Sequence, residues 1–321
     1  MARRLVALVT SLALLATACG DDAGPEGQDA TTTSTGSPTS TLEPTTTGAT
    51  TSEVAPDPLV GLAWLDGGAN DHVLIDTRTA AEFETGHIEG ARNLSATALN
   101  RPGGDVPYQL GDADTVSAAL GAAGITPDDT LVLYDADGSL YAARVYWALT
   151  YYGHDDLRIL DGGLTVWAAD GREIATGPAD PIETTTYEIT TERTELRLEL
   201  PDVTEALAGG LVSFADARSP GEFDGSIELA DQNGHLPGAA NVDYLTTIGD
   251  DGRFRSEDEL RAIYDAAGLG PDDPVVTYCL VGARAAHSWF VLSEILGYPS
   301  VALYDGSWQE YGNTPGVDVE G

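Results

Sequence analysis

The stretch VLIDTRTAAEFETGHIEGARNL, residues 73–94, returns in altered form as VSFADARSPGEFDG, residues 212–225, followed by NGHLPGAANV, residues 233–242. Asp76 matches Asp216, Arg78 matches Arg218, Phe83 matches Phe223, His87 matches His235 and Asn93 matches Asn241. Two further blocks repeat in the same order. AAGITPDDTLVLYDADG (122–138) recurs as AAGLGPDDPVVTYCLVG (266–282), and LDGGLTVW (160–167) as LYDGSWQEY (303–311). Ordered self-similarity over such a span means a duplicated unit. We place the copies at 58–178 and 183–321, joined near TGPADPIETTT. Within each copy, short β-branched apolar runs (73–76, 131–134, 212–215, 275–278) alternate with helical patterns such as 115–123 and 258–267. Strands that are apolar throughout and separated by helices predict βαβ units and an α/β fold, with a parallel sheet covered on both faces. Ligands of such sheets bind beyond the carboxyl ends of the strands.

The totals narrow the partners. Of 321 residues, 42% are hydrophobic, enough for two cores. Asp and Glu number 52 against 15 Lys and Arg, a net charge of −37, and every one of those bases is Arg. Nucleic acid and anionic membrane faces are poor partners for such a surface.

The N-terminus reads as a targeting segment. Arg3 and Arg4 precede an apolar run at 5–15, and small residues lead to Cys19. This is the pattern of a secretory signal, not of a spanning helix. It resembles a bacterial lipoprotein signal (1–19), in which Cys19 would be lipidated; Ala16 departs from that pattern, which prefers Leu. The Thr/Ser/Pro-rich stretch 20–57 is too polar to pack and reads as a disordered tether. The expected location is extracytoplasmic, anchored to the membrane by lipid, with plain secretion as the alternative.

With Cys19 so used, Cys279 is the one thiol left, and it has no partner for an internal disulfide. A lone cysteine is most often a small buried hydrophobe. Its context argues otherwise. The strand run 275–278 ends at Cys279, the segment Cys279-Leu-Val-Gly-Ala-Arg284 reads as a tight turn, and 285–296 has helical spacing. A strand–turn–helix junction gathers backbone N–H groups and a helix N-terminus around a thiolate. Gly282 permits the required backbone angles, and Arg284 adds a positive charge.

The repeated D-x-R…EF…GH-x-x-GA-x-N block, and a Cys opening a six-residue loop with Gly fourth, resemble the rhodanese (thiosulfate sulfurtransferase) family in its tandem form, over everything past the tether. The resemblance implies two tandem rhodanese-like domains, each a mostly parallel five-stranded sheet flanked by helices. It implies a non-catalytic first domain, since Asp135 matches Cys279, and a catalytic second one. The implied reaction moves a sulfane sulfur from thiosulfate to cyanide or a thiol through a Cys279 persulfide, with no metal or cofactor. Leu280, Val281, Gly282 and Ala283 would hold the sulfur by their amides, and Arg284, with Arg218, would bind the donor. Related phosphatases need Cys-x5-Arg; Cys279 to Arg284 is one residue shorter and makes a smaller cradle. Leu280 and Val281 are apolar where thiosulfate-type loops are polar, and Glu222 stands where some relatives carry a substrate-binding Arg. A 3-mercaptopyruvate donor would need two basic groups, for which only Arg284 with Arg218 or Arg253 is at hand. A sulfur carrier that does not turn over and an inert surface lipoprotein are the readings from other classes.

Other residues attract blander readings. The Asp216–Arg218 pair recurs as Asp76 and Arg78 in the copy without the Cys, which favours a structural ion pair. His87 and His235 suit turns. His287 could reach Cys279, and Trp308 could wall the pocket or fill the core. DADG at 135–138 lacks the further acids of a calcium loop, and no Cys/His cluster has zinc spacing.

Overall fold

The computed structural model describes residues 57–68, 71–104 and 106–321. The signal, Cys19 and almost all of the tether lie outside them. The first unit runs β1 (Leu59–Val60), α1 (Leu62–Asp66), β2 (Val73–Asp76), α2 (Ala80–Thr85), β3 (Arg92–Asn93), α3 (Ala113–Ala122), β4 (Leu131–Tyr134), α4 (Leu140–Tyr151), β5 (Leu157–Leu160) and α5 (Gly163–Ala169). The second repeats the order: β6 (Arg197–Leu198), α6 (Leu200–Gly209), β7 (Ser213–Asp216), α7 (Pro220–Phe223), β8 (Ala240–Asn241), α8 (Glu257–Ala266), β9 (Val275–Tyr278), α9 (Ala283–Phe290), β10 (Val301–Tyr304) and α10 (Ser307–Tyr311). A π-helical turn, Val291–Ile295, prolongs α9.

Each unit holds one five-stranded sheet, ordered β1-β5-β4-β2-β3 and β6-β10-β9-β7-β8. Every strand pair in both is parallel. The α/β expectation therefore holds, and the central strands β4 and β9 are buried along their whole length, as their uninterrupted apolar runs require. Between the units, residues 182–193 lie on the first. The Thr185 N–H donates to the Gly121 carbonyl at 3.0 Å, and the Tyr187 hydroxyl meets His154 Nδ1 at 2.8 Å.

The repeated block is scaffold. Arg78 forks onto Asp76 and reaches the Gly86 carbonyl at 2.6 Å; Arg218 does the same to Asp216 and the Gly234 carbonyl, the latter at 2.7 Å. Asn93 and Asn241 each donate to two carbonyls of that corner. His87 and His235 stack on Phe83 and Phe223 at 3.7 Å, with Nδ1 on the carbonyls of those residues. The motif thus pins a strand end to the turn that leads to the neighbouring strand. That explains its presence in the copy without the cysteine.

The units meet through α4 and α9, the helices that follow the two loops. Their apolar faces, with Trp147 and Trp289, share one continuous core. Burying two indoles of this size removes ~300–500 Å² from water, a sizeable share of the core's hydrophobic stabilisation.

Candidate active site

Strand β9 carries Cys279 to the carboxyl end of the second sheet, where it is 1% exposed. The chain then turns through Gly282, whose φ of 89° is open to a residue without Cβ. That angle directs the Gly282 N–H onto Cys279 Sγ at 3.1 Å. Gly282 is also the cap of α9, so the helix opens at Ala283, two residues before the apolar spacing predicts. Arg284 consequently lies in the first helical turn. Leu280 and Val281 are half-buried beside the thiol.

The turn after β10 holds the cysteine from behind. The Cys279 N–H donates to Ser307 Oγ at 3.1 Å, and the Ser307 hydroxyl donates to the Tyr304 carbonyl at 2.9 Å. The N–H groups of Trp308 and Gln309 bond the carbonyls of Cys279 and Leu280, both at 2.9 Å. Ser307 does this from a left-handed φ of 50°, while the matching Gly163 has φ of 49°. A side chain at such an angle is strained, and here its hydroxyl ties down the backbone of Cys279. Gly163 could not accept one, because a Cβ there would come within 2.2 Å of the Asp135 carbonyl oxygen.

The first unit shows what this loop does with an anion. Asp135, at the place of Cys279, turns its carboxylate into its own loop and accepts four backbone N–H bonds. Asp137 and Ser139 donate to one oxygen, both at 2.9 Å; Tyr141 and Ala142 donate to the other at 2.7 and 3.0 Å. Burial pushes this carboxyl up, against the pull of those donors. DADG is therefore a loop closed on its own side chain. The residues matching Asp137 and Ser139 are Val281 and Ala283, part of the segment expected to cradle sulfur.

The arginines fall out differently from expectation. Arg284 lies near enough to Cys279 for a thiolate there to favour its charge, but its guanidinium is engaged. Nη1 and Nη2 meet the two oxygens of Glu222 at 2.7 and 2.8 Å. Burial opposes ionisation of Glu222, yet bonds from Arg284 and Ser219 outweigh it and hold the carboxyl at about 2. Arg218, expected among the substrate contacts, is 1% exposed, with its guanidinium committed to Asp216 and Gly234 and lying 4.5 Å over the Trp308 ring. It is an anchor of the fold, because its donors are consumed by the strand-end corner. Arg253 sits against Gly162 of the first unit and pairs with Asp251 at 3.1 Å. Trp308 is core.

His287 is fully buried, stacked on Phe254 at 4.9 Å and edge-on to Tyr244 at 5.4 Å. Burial lowers it to about 4, so it is a neutral packing residue. The Gly138 carbonyl favours its protonated ring weakly without a hydrogen bond of good geometry. An apolar hollow lined by Arg197, Val212, Val275 and Val301 lies at the amino ends of the same strands, opposite Cys279. Among the described residues no cluster of His, Cys, Asp or Glu could hold a metal.

Two parts of the site escaped the sequence reading. Ser307 is signalled only by the Gly-to-Ser difference in the last letter of LDGG and YDGS. The other is a cross-unit ion cluster, in which Asp305 receives Arg144 Nη2 at 2.7 Å, the Leu110 N–H at 2.8 Å and Arg197 Nη2 at 2.9 Å.

Comparison with known proteins agrees with this fold. The Rhodanese-like domain family matches twice, at residues 62–170 and 199–314. A Mycolicibacterium smegmatis protein, named provisionally as a thiosulfate sulfurtransferase, is 37% identical over 82% of this chain and 98% of its own length. The sulfur carrier protein TtuD of Thermus thermophilus is 34% identical over 82% of this chain and 96% of its own. Among solved structures, SseA of Escherichia coli, described as a 3-mercaptopyruvate sulfotransferase with the rhodanese fold, superposes with a TM-score of 0.69. It is 29% identical over 79% of this chain and 99% of that one. Two matched segments, two parallel five-stranded sheets and a cysteine loop at the carboxyl end of the second place this chain in the rhodanese family, as a tandem-domain member.

Proposed function

We propose that this protein is a sulfurtransferase that takes a sulfane sulfur from thiosulfate onto Cys279 and passes it to a thiophilic acceptor, cyanide or a thiol. The observation that carries this reading is the Gly282 N–H set on Cys279 Sγ at 3.1 Å in a loop whose sibling holds a carboxylate with four amides. In the first step the Cys279 thiolate attacks the outer sulfur of thiosulfate. The S–S bond of the donor breaks, sulfite leaves with the electron pair, and a Cys279 persulfide anion remains. In the second step the acceptor attacks the outer sulfur, the new S–S bond breaks, and the thiolate is restored as thiocyanate or a persulfide departs. Charge balances in both steps. Loop amides suit the sulfur anions of both. With Arg284 held by Glu222, donor affinity rests on amides more than on a free guanidinium.

A 3-mercaptopyruvate donor is less well supported, since Arg218 is buried, Arg284 is paired with Glu222 and Arg253 lies against the first unit, so the cations expected to clamp a carboxylate do not present themselves as a pair. A carrier role is favoured by one observation, the apolar Leu280 and Val281 at the loop, which suit contact with a protein. Intact-mass spectrometry after thiosulfate and then cyanide tests both. A gain of one sulfur atom that cyanide removes, absent from Cys279→Ser, is the expected result. A persulfide that persists without turnover would favour the carrier, and no gain would remove thiosulfate as donor. By our reading the protein works outside the cytoplasm, held by lipid on Cys19. Loss of membrane association in Cys19→Ala is the expected result, and unchanged association would reject the anchor.

A further inference from the structure

The two units are built alike, so the places where their interface departs from that likeness are informative. On one side the Phe254 N–H, from the second unit, donates to Asp161 at 3.0 Å. On the other the Leu110 N–H, from the first, donates to the matching Asp305 at 2.8 Å. The likeness ends at Arg144 of α4, whose counterpart in α9 is Ser288. Arg144 is 4% exposed and crosses from the first unit to the catalytic turn of the second. Its Nη2 is bound by Asp305 and by the Tyr108 carbonyl, at 2.7 and 2.9 Å, and its guanidinium carbon lies 4.8 Å over the Trp147 ring. Nη1 is buried and has no hydrogen-bond partner among the described residues. It stands against Gly282, 3.0 Å from where a Cβ would be. Gly282 is the residue whose N–H bonds Cys279 Sγ.

We propose that Arg144, supplied by the non-catalytic unit, is a positioning residue for Cys279: it braces the Gly282 turn and lends it positive charge. This rests on the reading of Cys279 as a nucleophile. Two guanidinium groups, Arg144 and Arg197, share the carboxylate of Asp305; Glu310 of α10 faces the same cluster, with its carboxyl pushed up by burial and bonded by the Tyr304 hydroxyl at 2.8 Å. A charge out of water acts on its neighbours with little screening. Nearer the thiol, Arg284 is paired with Glu222 and Arg218 with Asp216. The first unit carries Asp135 where the second carries Cys279, and it serves the second by contributing this cation. Gly282 has no side chain to hold the guanidinium away.

The test uses the full-length chain and the reaction of the Cys279 peptide with iodoacetamide across pH, which needs no sulfur donor. Arg144→Gln keeps a donor for Asp305 and removes the charge; Arg144→Lys keeps the charge. The expected result is a loss of about tenfold in alkylation rate at neutral pH for Arg144→Gln, with its acid limb displaced upward by about one pH unit, and Arg144→Lys within about threefold of wild type. A merely structural residue would change the melting temperature and leave the limb where it is. Arg144→Gln with the wild-type rate and limb, or Arg144→Lys as slow as Arg144→Gln, overturns the proposal. Should Arg144→Gln fail to fold, Arg144→Met, which keeps the stem packed on Trp147, is read by the same two criteria. A displaced limb in a protein that never gains sulfur would sink the sulfurtransferase reading and leave this one standing; sulfur gain with an undisplaced limb would do the reverse.

Discussion

Position 135 and position 279 are one place in one loop, filled once by a carboxylate and once by a thiol. The carboxylate reaches two pairs of amides and satisfies them permanently, at N–O distances of 2.7–3.0 Å. The thiol carries its reactive atom on a single short arm and engages one, Gly282. Asp135 is therefore a built-in occupant of an anion loop, and its removal should be felt. Asp135→Ala is expected to destabilise the protein by about 2–4 kcal/mol, because buried N–H groups left without an acceptor bear their desolvation unrewarded. Added sulfate should raise the melting temperature of this variant more than that of the wild type, by returning an anion to the loop. Equal response of the two proteins in a thermal melt would show that the amides do not gather on an anion unless one is covalently tethered there.

At the scale of elements, the strand–loop–helix unit was legible because each part is local. The apolar run at 275–278 and the glycine at 282 need only their neighbours, and the helix face of Ala285, Trp289, Leu292 and Leu296 is buried as its spacing requires. The fate of Arg284 was not legible, since Glu222 lies 62 residues away in sequence. Its position in the capping box of α7, where Glu222 bonds the Ser219 N–H at 3.1 Å, fixes the carboxylate that then receives Arg284. Ser307 and Asp305 are further from legibility still, because their partners arrive over another strand or from the other unit. The Glu222–Arg284 pair makes a prediction with a definite sign. Glu222 is held at about 2 in the fold against an ordinary 4.5, so the unfolded chain binds its proton first as pH falls. The stabilisation it gives is whole above about 4.5 and is lost as pH falls toward about 2. Glu222→Gln should be less stable than wild type at neutral pH, and the gap should close across that acid window. The freed Arg284 should also lower the KM for thiosulfate. A stability gap that is constant with pH, or an unchanged KM, would mean the pair does not restrain Arg284.

In the whole molecule, two like units meet along a single interface whose two sides differ in chemistry. One side of it carries the ion cluster around Asp305, beside the Cys279 loop. On the other, Ile248 packs on Gly138 at 3.4 Å from its would-be Cβ, and His287 sits between Phe254, Tyr244 and the Gly138 loop. A histidine sealed into an apolar seam reports on that seam. Burial depresses His287 from 6.5 to about 4, so in the folded protein it stays neutral where the unfolded chain has already taken a proton. Stability is complete above about 6.5 and declines as pH falls toward about 4, the sign that linkage gives to any group with a depressed folded pKa. His287→Leu should remove this decline while leaving the separate loss due to Glu222 at lower pH in place. Denaturant unfolding of the two proteins between pH 7 and pH 4 checks it: the curves should diverge as the acid window is entered, with the variant the flatter. Parallel curves would mean that the seam opens to water before the ring is protonated. The contact between α4 and α9 would then be looser than the burial of Trp147 and Trp289 implies.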